Sequence, residues 1–440
     1  MNTASSEVAM AEETSRRLTG KQIRTIAISM LGGALEYYEF MVFIFMVPVL
    51  GHLFFANATL PWVRQLQTLA IFALGYVVRP FGGIVLGALG DRLGRKRMFI
   101  VTLALMAIPT AGIGLLPTYA SIGVAAPLLL LLCRLCQGLA MAGETPTALT
   151  FVIEHVDSRR TGLAIGLMGA GLIGGMLIGI FTMAQLDRAF TKEEITSFWW
   201  RLPFLLGGVF GLISAALRRF VSETPVFEDM KRCRSADEMA PFTMLLKHYR
   251  PELLVAFLSS FVGGAIIQSV QLYPGIYFQS QLGFPAPVVS YAQTIGTIVT
   301  FFSIIFGNWM IDKVGWKVAM NSVALAMVGA ILLLYWDPQV SNVTVNMAML
   351  GVPCAIVIML HNILTRVFPA EVRITGISTA HNTASAVAGG VMPVTMGALM
   401  HYYYWSGVIV PIVLVAVAVI ITPIAIRYRK PIRYVATAKV

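Results

Sequence analysis

Long apolar segments separated by short polar turns occupy almost the whole chain. A helix that spans a bilayer needs about 20 mostly apolar residues, and twelve segments reach that length. They cover 25–55, 64–90, 98–118, 123–155, 161–185, 202–220, 251–279, 287–311, 317–336, 343–368, 374–400 and 405–427. Because a membrane offers no water to unpaired backbone groups, we predict that all twelve are α-helices. The predicted fold class is an all-α polytopic membrane protein.

Composition excludes a soluble protein. Only 12% of the 440 residues are charged and 57% are hydrophobic, whereas a soluble domain carries about 25% charged residues. The net charge of +11 comes from short basic clusters between apolar runs, which indicates membrane topology and not nucleic-acid binding. The four cysteines lack metal-ligand spacing, so we predict no metal site and no cofactor.

The distribution of lysine and arginine predicts the orientation. If the N-terminus is cytoplasmic, 26 of the 32 basic residues fall in cytoplasmic segments. Those near the outer face are Arg64, Arg188, Lys192 and Arg201. Since cytoplasmic loops are rich in basic residues, we expect both termini inside.

A charged turn occurs twice, half a chain apart. The segment 87–97 reads Gly-Ala-Leu-Gly-Asp-Arg-Leu-Gly-Arg-Lys-Arg, and 307–317 is a degraded copy with Asp312 in place of Asp91. Gly162 and Gly376 lie in a second matched pair of turns. A repeat of half the chain is typical of transporters built from two similar halves.

The only long charged linker, at 221–250, divides the repeats. We therefore predict a cytoplasmic tail at 1–24, a six-helix bundle at 25–220, the cytoplasmic linker at 221–250, a second bundle at 251–427 and a cytoplasmic tail at 428–440. The two bundles should be pseudo-symmetric.

Charges inside apolar helices are the functional candidates, since each costs about 2.5–3.5 kcal/mol to insert. Glu36 and Glu39 lie three residues apart in the first helix and share roughly one face. Burial favours the neutral form of a carboxyl group and a nearby cation the charged form. Either glutamate is therefore a candidate proton carrier, and the alternative is a structural ion pair between helices.

Arg134 in the fourth helix is the natural partner for a carboxylate of the first helix. An arginine keeps its proton, so it would either hold a carboxylate or bind an anionic substrate. Gln137, one turn later, can add a hydrogen bond. Glu144 is ten residues on, about 15 Å along the axis, and is a proton-coupling candidate without an assumed place in the same site.

Other polar residues in the helices are weaker candidates. Arg79 precedes Pro80 at an expected kink, where it is either a gate contact or a substrate ligand. Candidate substrate contacts are Tyr38, Gln271, Tyr277, His381 and Asn382. The alternative for such residues is hydrogen bonding between helices, worth about 0.6 kcal/mol each.

These motifs resemble the major facilitator superfamily, and within it the metabolite:proton symporter branch. The signature loop between helices two and three matches Gly87, Asp91, Arg92, Gly94 and Arg95, and Asp312 marks its second copy. Arg134-x-x-Gln137-Gly138 is similar to the fourth-helix motif associated with proton coupling. Glu36-Tyr-Tyr-Glu39-Phe stands where the branch typically has Glu-Trp-Tyr-Asp-Phe. The resemblance implies two rocking six-helix bundles, with the signature loop as a gate.

Three departures surround the expected binding region. Glu39 replaces an aspartate, His381 stands where tyrosine is frequent, and Gly143-Glu144-Thr-Pro146-Thr replaces Gly-Glu-Trp-Gly-Gly. The resemblance alone therefore does not identify the substrate.

The resulting hypothesis is a proton-coupled symporter that imports a small organic acid, because Arg79 and Arg134 suit carboxylates. The alternatives are a betaine- or proline-type zwitterion as substrate, or an exporter. Gly179 is followed by Ile180, without the proline that exporters of the superfamily carry there, which favours import. We expect no enzymatic activity, although a membrane-embedded enzyme and a ligand sensor remain alternative classes. The resemblance implies a monomer in a bacterial inner membrane, with protons, lipid and a small molecule as partners.

Overall fold

Twelve long helices make up most of the computed structural model, which describes residues 18–56, 60–233, 240–336, 338–403, 405–430 and 432. The predicted tails at 1–17 and 433–440 lie outside this range. The first six helices are α1 (Gly20–Phe54), α2 (Pro61–Val77 and Arg79–Leu93), α3 (Arg95–Leu115), α4 (Ala125–His155), α5 (Thr161–Ala189) and α6 (Arg201–Arg218).

The second six follow in the same manner. They are α7 (Arg250–Ile266, continued by Ile267–Leu272 and Tyr273–Ser280), α8 (Ala286–Val314), α9 (Trp316–Trp336), α10 (Val343–Gly351, Val352–Cys354 and Ala355–Val367), α11 (Arg373–Tyr402) and α12 (Ser406–Arg427). Eleven of the twelve are long and apolar enough to cross a membrane, and α11 has 30 residues. The all-α fold of twelve helices is confirmed.

The first helix starts earlier than expected, at Gly20 and not at residue 25. Thr19 explains the difference because it forms a capping box. Its hydroxyl accepts a hydrogen bond from the Gln22 amide at 3.3 Å, and the Gln22 side chain accepts one from the Thr19 amide at 2.9 Å. Because this first turn is polar, composition alone places its residues in the N-terminal tail.

Prolines account for the internal breaks. The helix Pro61–Val77 ends one residue before Arg79–Leu93 begins, next to Pro80. In α7 a π-helical stretch, Ile267–Leu272, ends just before Pro274, and in α10 a 3₁₀ stretch contains Pro353. Proline has no amide hydrogen and cannot close the helical bond to the residue four before it.

The two charged turns have the same backbone geometry. Gly94 and Gly315, 221 positions apart like the two aspartates, adopt positive φ angles of 108° and 81°. Side chains disfavour this region, so glycine permits the sharp turn from α2 to α3 and from α8 to α9. The structural repeat follows directly from the sequence repeat.

Two short helices in the linker were not predicted: Pro225–Cys233 and Pro241–His248. The first is amphipathic, and its Val226, Phe227 and Met230 pack on Ala370 of the second half. The charged residues between these apolar positions, Glu228 and Asp229, conceal a pattern that spans only two turns.

Glycines let α5 approach α1 closely. A Cβ atom at Gly171 would lie 2.8 Å from Cβ of Met30, and one at Gly179 would lie 2.8 Å from Cβ of Met41. The outer surface of the helices carries large apolar side chains, among them Phe181 and Leu325, which are 64% and 76% exposed. Such a surface is suited to lipid.

Candidate functional site

A cavity of about 520 Å³ lies between the two halves of the chain. We call the face where α1 begins and α12 ends the terminal face, and the other the opposite face. The cavity reaches the opposite face, where Asp187 near the end of α5 and Ser290 near the start of α8 line it. Its volume falls within the range of small-molecule sites, about 300–1,000 Å³.

Glu36 and Arg79 lie together in the wall of this cavity. The Glu36 Oε1 atom is 3.9 Å from Arg79 Nη2, which is an ion pair without a hydrogen bond. Glu36 Oε2 accepts a hydrogen bond from the Thr145 hydroxyl at 3.1 Å. Since the two groups do not hydrogen-bond to each other, each is available to a charged ligand in the cavity.

Aromatic rings line the same cavity as the Glu36 carboxylate. Tyr37, Phe40 and Tyr76 line the cavity, with ring centroids 6.4 Å apart for Tyr37 and Phe40 and 6.3 Å for Phe40 and Tyr76. The Arg79 guanidinium lies 5.2 Å from the Tyr76 ring centre. A carboxylate framed by π-faces is suited to an organic cation.

The second half contributes uncharged donors and acceptors. His361 of α10 and His381 of α11 line the cavity with ring centroids 5.0 Å apart. His361 Nδ1 is 2.9 Å from the Val357 carbonyl, so it donates there and its Nε2 remains an acceptor. Gln271 also lines the cavity, and its amide donates to the Thr300 hydroxyl at 3.1 Å. Of the candidate substrate contacts, His381 and Gln271 thus lie at the cavity.

Glu39 forms a separate, buried cluster. Its carboxylate accepts hydrogen bonds from Arg134 Nη1 and Gln137 Nε2, both at 2.8 Å. Gln137 Nε2 also lies 2.8 Å from the Thr110 hydroxyl, and the Arg134 guanidinium stacks 3.5 Å from the Phe43 ring centre. The three predicted partners therefore meet, as one charge-assisted network.

A thin layer separates this network from the cavity. Glu39, Arg134 and Gln137 border a void of only about 10 Å³, whereas Glu36 and Arg79 face the large cavity. Phe40, Tyr76 and Met141 border both spaces. Arg134 and Gln137 were also candidate substrate contacts, and the structure places them behind this layer.

Glu144 lies elsewhere, in an ion pair that sequence reasoning missed. It pairs with Arg218 at the end of α6 and accepts a hydrogen bond from the Thr102 hydroxyl at 2.7 Å. The Arg218 guanidinium also stacks 3.3 Å from the Phe99 ring centre. Because Arg218 belonged to a basic cluster at a helix end, its burial could not be read from the sequence.

Three other candidates lie outside the cavity lining. The Tyr38 hydroxyl donates to the Pro203 carbonyl at 2.7 Å, which joins α1 to α6. Tyr277 packs against Phe278 and Tyr335 within the second half. Asn382 lies beneath the cavity, where its Oδ1 accepts a hydrogen bond from Arg79 Nε at 3.2 Å.

The terminal face is closed by Asp91 of α2. Its carboxylate accepts hydrogen bonds from the Thr375 amide and hydroxyl, both at 2.8 Å, and from the Ile374 amide at 3.3 Å. These groups form the first turn of α11, where unpaired amides and the helix dipole favour an anion. Gly87 faces the same helix, since a Cβ atom there would lie 2.9 Å from Thr375 Cα.

Asp312 makes the reciprocal contact from the second half. It accepts hydrogen bonds from the Gly162 amide at 2.8 Å and the Leu163 amide at 2.7 Å, at the start of α5. The two aspartates of the sequence repeat thus each cap a helix of the other half. Arg92 is exposed at the end of α2 on the same face.

Glu154 and Arg373, which were not predicted as gate residues, extend this closure together with Arg95, which was. Glu154 accepts hydrogen bonds from Arg373 Nη1 at 2.6 Å and from Arg95 Nε at 3.3 Å. Arg95 Nη2 is also 3.6 Å from Asp91 Oδ1 and donates to the Ala370 carbonyl at 2.7 Å. The one indication of these contacts in the sequence was the matched pair of turns that follow α4 and α10.

Comparisons with known proteins agree with this architecture. A family model described as Major Facilitator Superfamily matches residues 29–358. The chain is 31% identical over 380 residues to a putative proline/betaine transporter of Staphylococcus aureus strain COL, with 85% of this chain and 81% of the relative covered. It is 30% identical to the glycine betaine/proline/ectoine/pipecolic acid transporter OusA of Dickeya dadantii, with 84% and 76% covered.

Solved structures support the fold. The proton:xylose symporter XylE bound to 6-bromo-6-deoxy-D-glucose aligns with a TM-score of 0.75 at 15% identity, covering 92% of this chain and 95% of that one. FucP in the outward conformation aligns with a TM-score of 0.68 at 16% identity, covering 92% and 99%. With twelve helices, paired charged turns and a cavity between two halves, the chain belongs to the Major Facilitator Superfamily.

Proposed function

We propose that this chain is a proton-coupled symporter that imports a small carboxylate-bearing metabolite by alternately opening its two faces. The observation that carries the proposal is the division of charge between two places. Glu36 and Arg79 line the cavity, while Glu39 is buried and paired with Arg134 behind Phe40, Tyr76 and Met141. One site can take substrate and the other a proton.

A betaine- or proline-type zwitterion is the substrate that this cavity favours. Its carboxylate would bind Arg79, and its cationic end would lie against Glu36 and the rings of Tyr37 and Phe40. The relatives named as proline/betaine transporters support this choice. A small organic acid is the second candidate, because Arg79 could bind one carboxylate and a ring N–H of His381 could donate to a second.

Glu39 is the proposed proton carrier. Protonation would remove its charge and weaken its hydrogen bond to Arg134, which would loosen α1 from α4. Gln137 can hold either form because its amide donates to the remaining oxygen. Glu36 would act on the substrate's charge, and Glu144 would remain paired with Arg218.

The proposed cycle uses the terminal-face contacts as a latch. Asp91 and Asp312, with Arg95, would hold the halves 25–220 and 251–427 together at this face while substrate enters from the other. The basic turns favour a cytoplasmic terminal face, and the bacterial relatives favour an inner membrane, with the chain acting as a monomer. Release of the latch would then open the cavity to the cytoplasm.

Reconstitution in liposomes that contain a pH-sensitive dye tests the proposal. Glycine betaine, proline and a panel of organic acids are supplied outside in turn. We expect internal acidification with glycine betaine or proline, and its loss in Glu39→Gln. Asp229→Asn, an exposed acidic residue of the linker helix, is the matched control and should acidify normally.

Two results would contradict the proposal. Uptake without acidification would exclude proton symport. Acidification that persists at full rate in Glu39→Gln would show that Glu39 is not the proton carrier. Acidification with organic acids but not with either zwitterion would select the second candidate substrate.

A further inference from the structure

Pro146 leaves one backbone carbonyl of α4 without its helical partner. In a regular helix the amide of residue 146 would donate to the carbonyl of Ala142, but proline has no amide hydrogen. Pro146 lies inside α4, and Ala142 is fully buried. A buried carbonyl must find another donor, because an unpaired one costs free energy.

The donors come from the other half of the chain. Ser378 Oγ and Asn382 Nδ2, both on α11, each donate to the Ala142 carbonyl at 2.8 Å. Both side chains are fully buried. Close approach is possible because α2 has glycine at position 83, where a Cβ atom would lie 2.9 Å from Asn382 Nδ2.

This contact also fixes which way the Asn382 amide points. Its Nδ2 faces two carbonyl oxygens, those of Ala142 and of Ser378, each at 2.8 Å. The carbonyl end, Oδ1, therefore points away and accepts the hydrogen bond from Arg79 Nε at 3.2 Å. Arg79 in turn lines the cavity beside Glu36.

We propose that Asn382 is a positioning residue that Pro146 makes possible. The carbonyl freed by Pro146 anchors Asn382 across the two halves, and Asn382 places the Arg79 guanidinium at the cavity floor. The anion-binding end of the cavity is then complete only while α11 lies against α4. When the halves part at the terminal face, Arg79 loses this support and its affinity for the substrate carboxylate falls.

The position of these contacts supports a link between binding and closure. Asn382 and Ser378 lie on α11 between Thr375, which Asp91 holds at the terminal face, and Ser385, which lines the cavity. The Ala142 carbonyl therefore lies between the Asp91 contact and the cavity. Because the proposal assigns Arg79 to the substrate carboxylate, that part of it rests on the proposed function.

The first measurement needs no substrate. Nitroxide labels at Arg97 and Lys317, exposed on the terminal face in opposite halves, report their separation by pulsed electron paramagnetic resonance in liposomes. We expect Pro146→Ala and Ser378→Ala each to shift the distances to longer values, and the double variant to shift them no further than the larger single effect. Pro109→Ala, a buried proline within α3, is the matched control and should leave them unchanged.

The second measurement compares Asn382→Ala with Ser378→Ala in glycine betaine uptake. Both variants remove one hydrogen bond to the Ala142 carbonyl, but only Asn382→Ala releases Arg79. Loss of a hydrogen bond to a charged group should raise KM about tenfold in Asn382→Ala, with a smaller effect in Ser378→Ala. Arg79→Gln serves as the reference for loss of the cation itself.

Distinct outcomes overturn distinct claims. Unchanged label distances in Pro146→Ala, or purely additive shifts in the double variant, would show that the two residues do not act through one carbonyl. A raised KM in Arg79→Gln with an unchanged KM in Asn382→Ala would overturn the positioning role alone. An unchanged KM in Arg79→Gln would instead show that Arg79 does not bind the substrate carboxylate. The conclusion from the label distances would not depend on that result.

Discussion

Replacing Asp91 with asparagine should open the terminal face. The Asp91 carboxylate is fully buried and accepts hydrogen bonds from the Thr375 amide and hydroxyl, both at 2.8 Å, with the Ile374 amide at 3.3 Å. Asparagine has almost the same shape but only one acceptor oxygen and no charge. Its amide group would face a donor at the start of α11, so the contact is lost without a change in volume.

The magnitude follows from the contacts that are lost. A hydrogen bond to a charged group contributes about 1.5–3 kcal/mol, and the charge at a helix N-terminus contributes about 0.3–1 kcal/mol more. A net loss of about 2–3 kcal/mol from the closed state shifts the ratio of closed to open molecules by about 30- to 150-fold. Asp312→Asn should shift it less, since Asp312 accepts two hydrogen bonds and is only partly buried.

Spin labels at Arg97 and Lys317 measure this shift directly. We expect the distance distribution of Asp91→Asn to move towards longer values in liposomes without substrate, and Asp229→Asn, which carries the same charge change at an exposed position, to resemble the unsubstituted protein. The double variant Asp91→Asn with Asp312→Asn should show the sum of the two shifts. If Asp91→Asn leaves the distribution unchanged, the carboxylate does not hold the halves together.

Three further predictions concern buried polar groups. Glu39→Gln should lower the free energy of unfolding by about 3–5 kcal/mol because it leaves the buried Arg134 without its partner. Glu36→Gln should lower it less, because the Glu36–Arg79 pair is 3.9 Å apart. Denaturation in detergent measures both losses, and equal losses would contradict this difference. Glu144→Gln should also lower stability by about 3–5 kcal/mol yet leave the ratio of protons to substrate unchanged in the dye assay, because Glu144 is paired away from the cavity. Tyr38→Phe should leave KM unchanged while reducing stability by about 0.5–1.5 kcal/mol; a raised KM would place Tyr38 at the substrate.

The sequence predicted the helices and the charged turns because both depend on local information. Apolar length identifies a spanning helix, and Asp91 with Gly94, repeated as Asp312 with Gly315, specifies a turn that needs a positive φ angle. Helix ends were less accurate where a cap decides them, as at Thr19. The short amphipathic helices of the linker have too few residues for their period to stand out.

The arrangement of side chains around the cavity could not be predicted in the same way. Arg79 and Arg134 look equivalent in sequence, as cations within apolar helices, yet only Arg79 lines the cavity. Glu36 and Glu39 are three residues apart, but that small rotation sends one to the cavity and the other towards α4. Sequence spacing gives the angle between two side chains on one helix, but it does not say which cavity or neighbouring helix each of them faces.

The separation of Glu36 from Glu39 has a consequence for how the two ligands can be coupled. A substrate at Arg79 cannot touch the Glu39 carboxylate, because Phe40, Tyr76 and Met141 lie between the two spaces. In the proposed cycle, coupling would therefore pass through movement of α1, which carries Glu36 one turn before Glu39 and Phe40. A substrate that draws Glu36 from Arg79 displaces the same helix whose Glu39 holds Arg134 at 2.8 Å. Under this proposal, proton and substrate would be linked by one helix with two positions, without any direct contact between them.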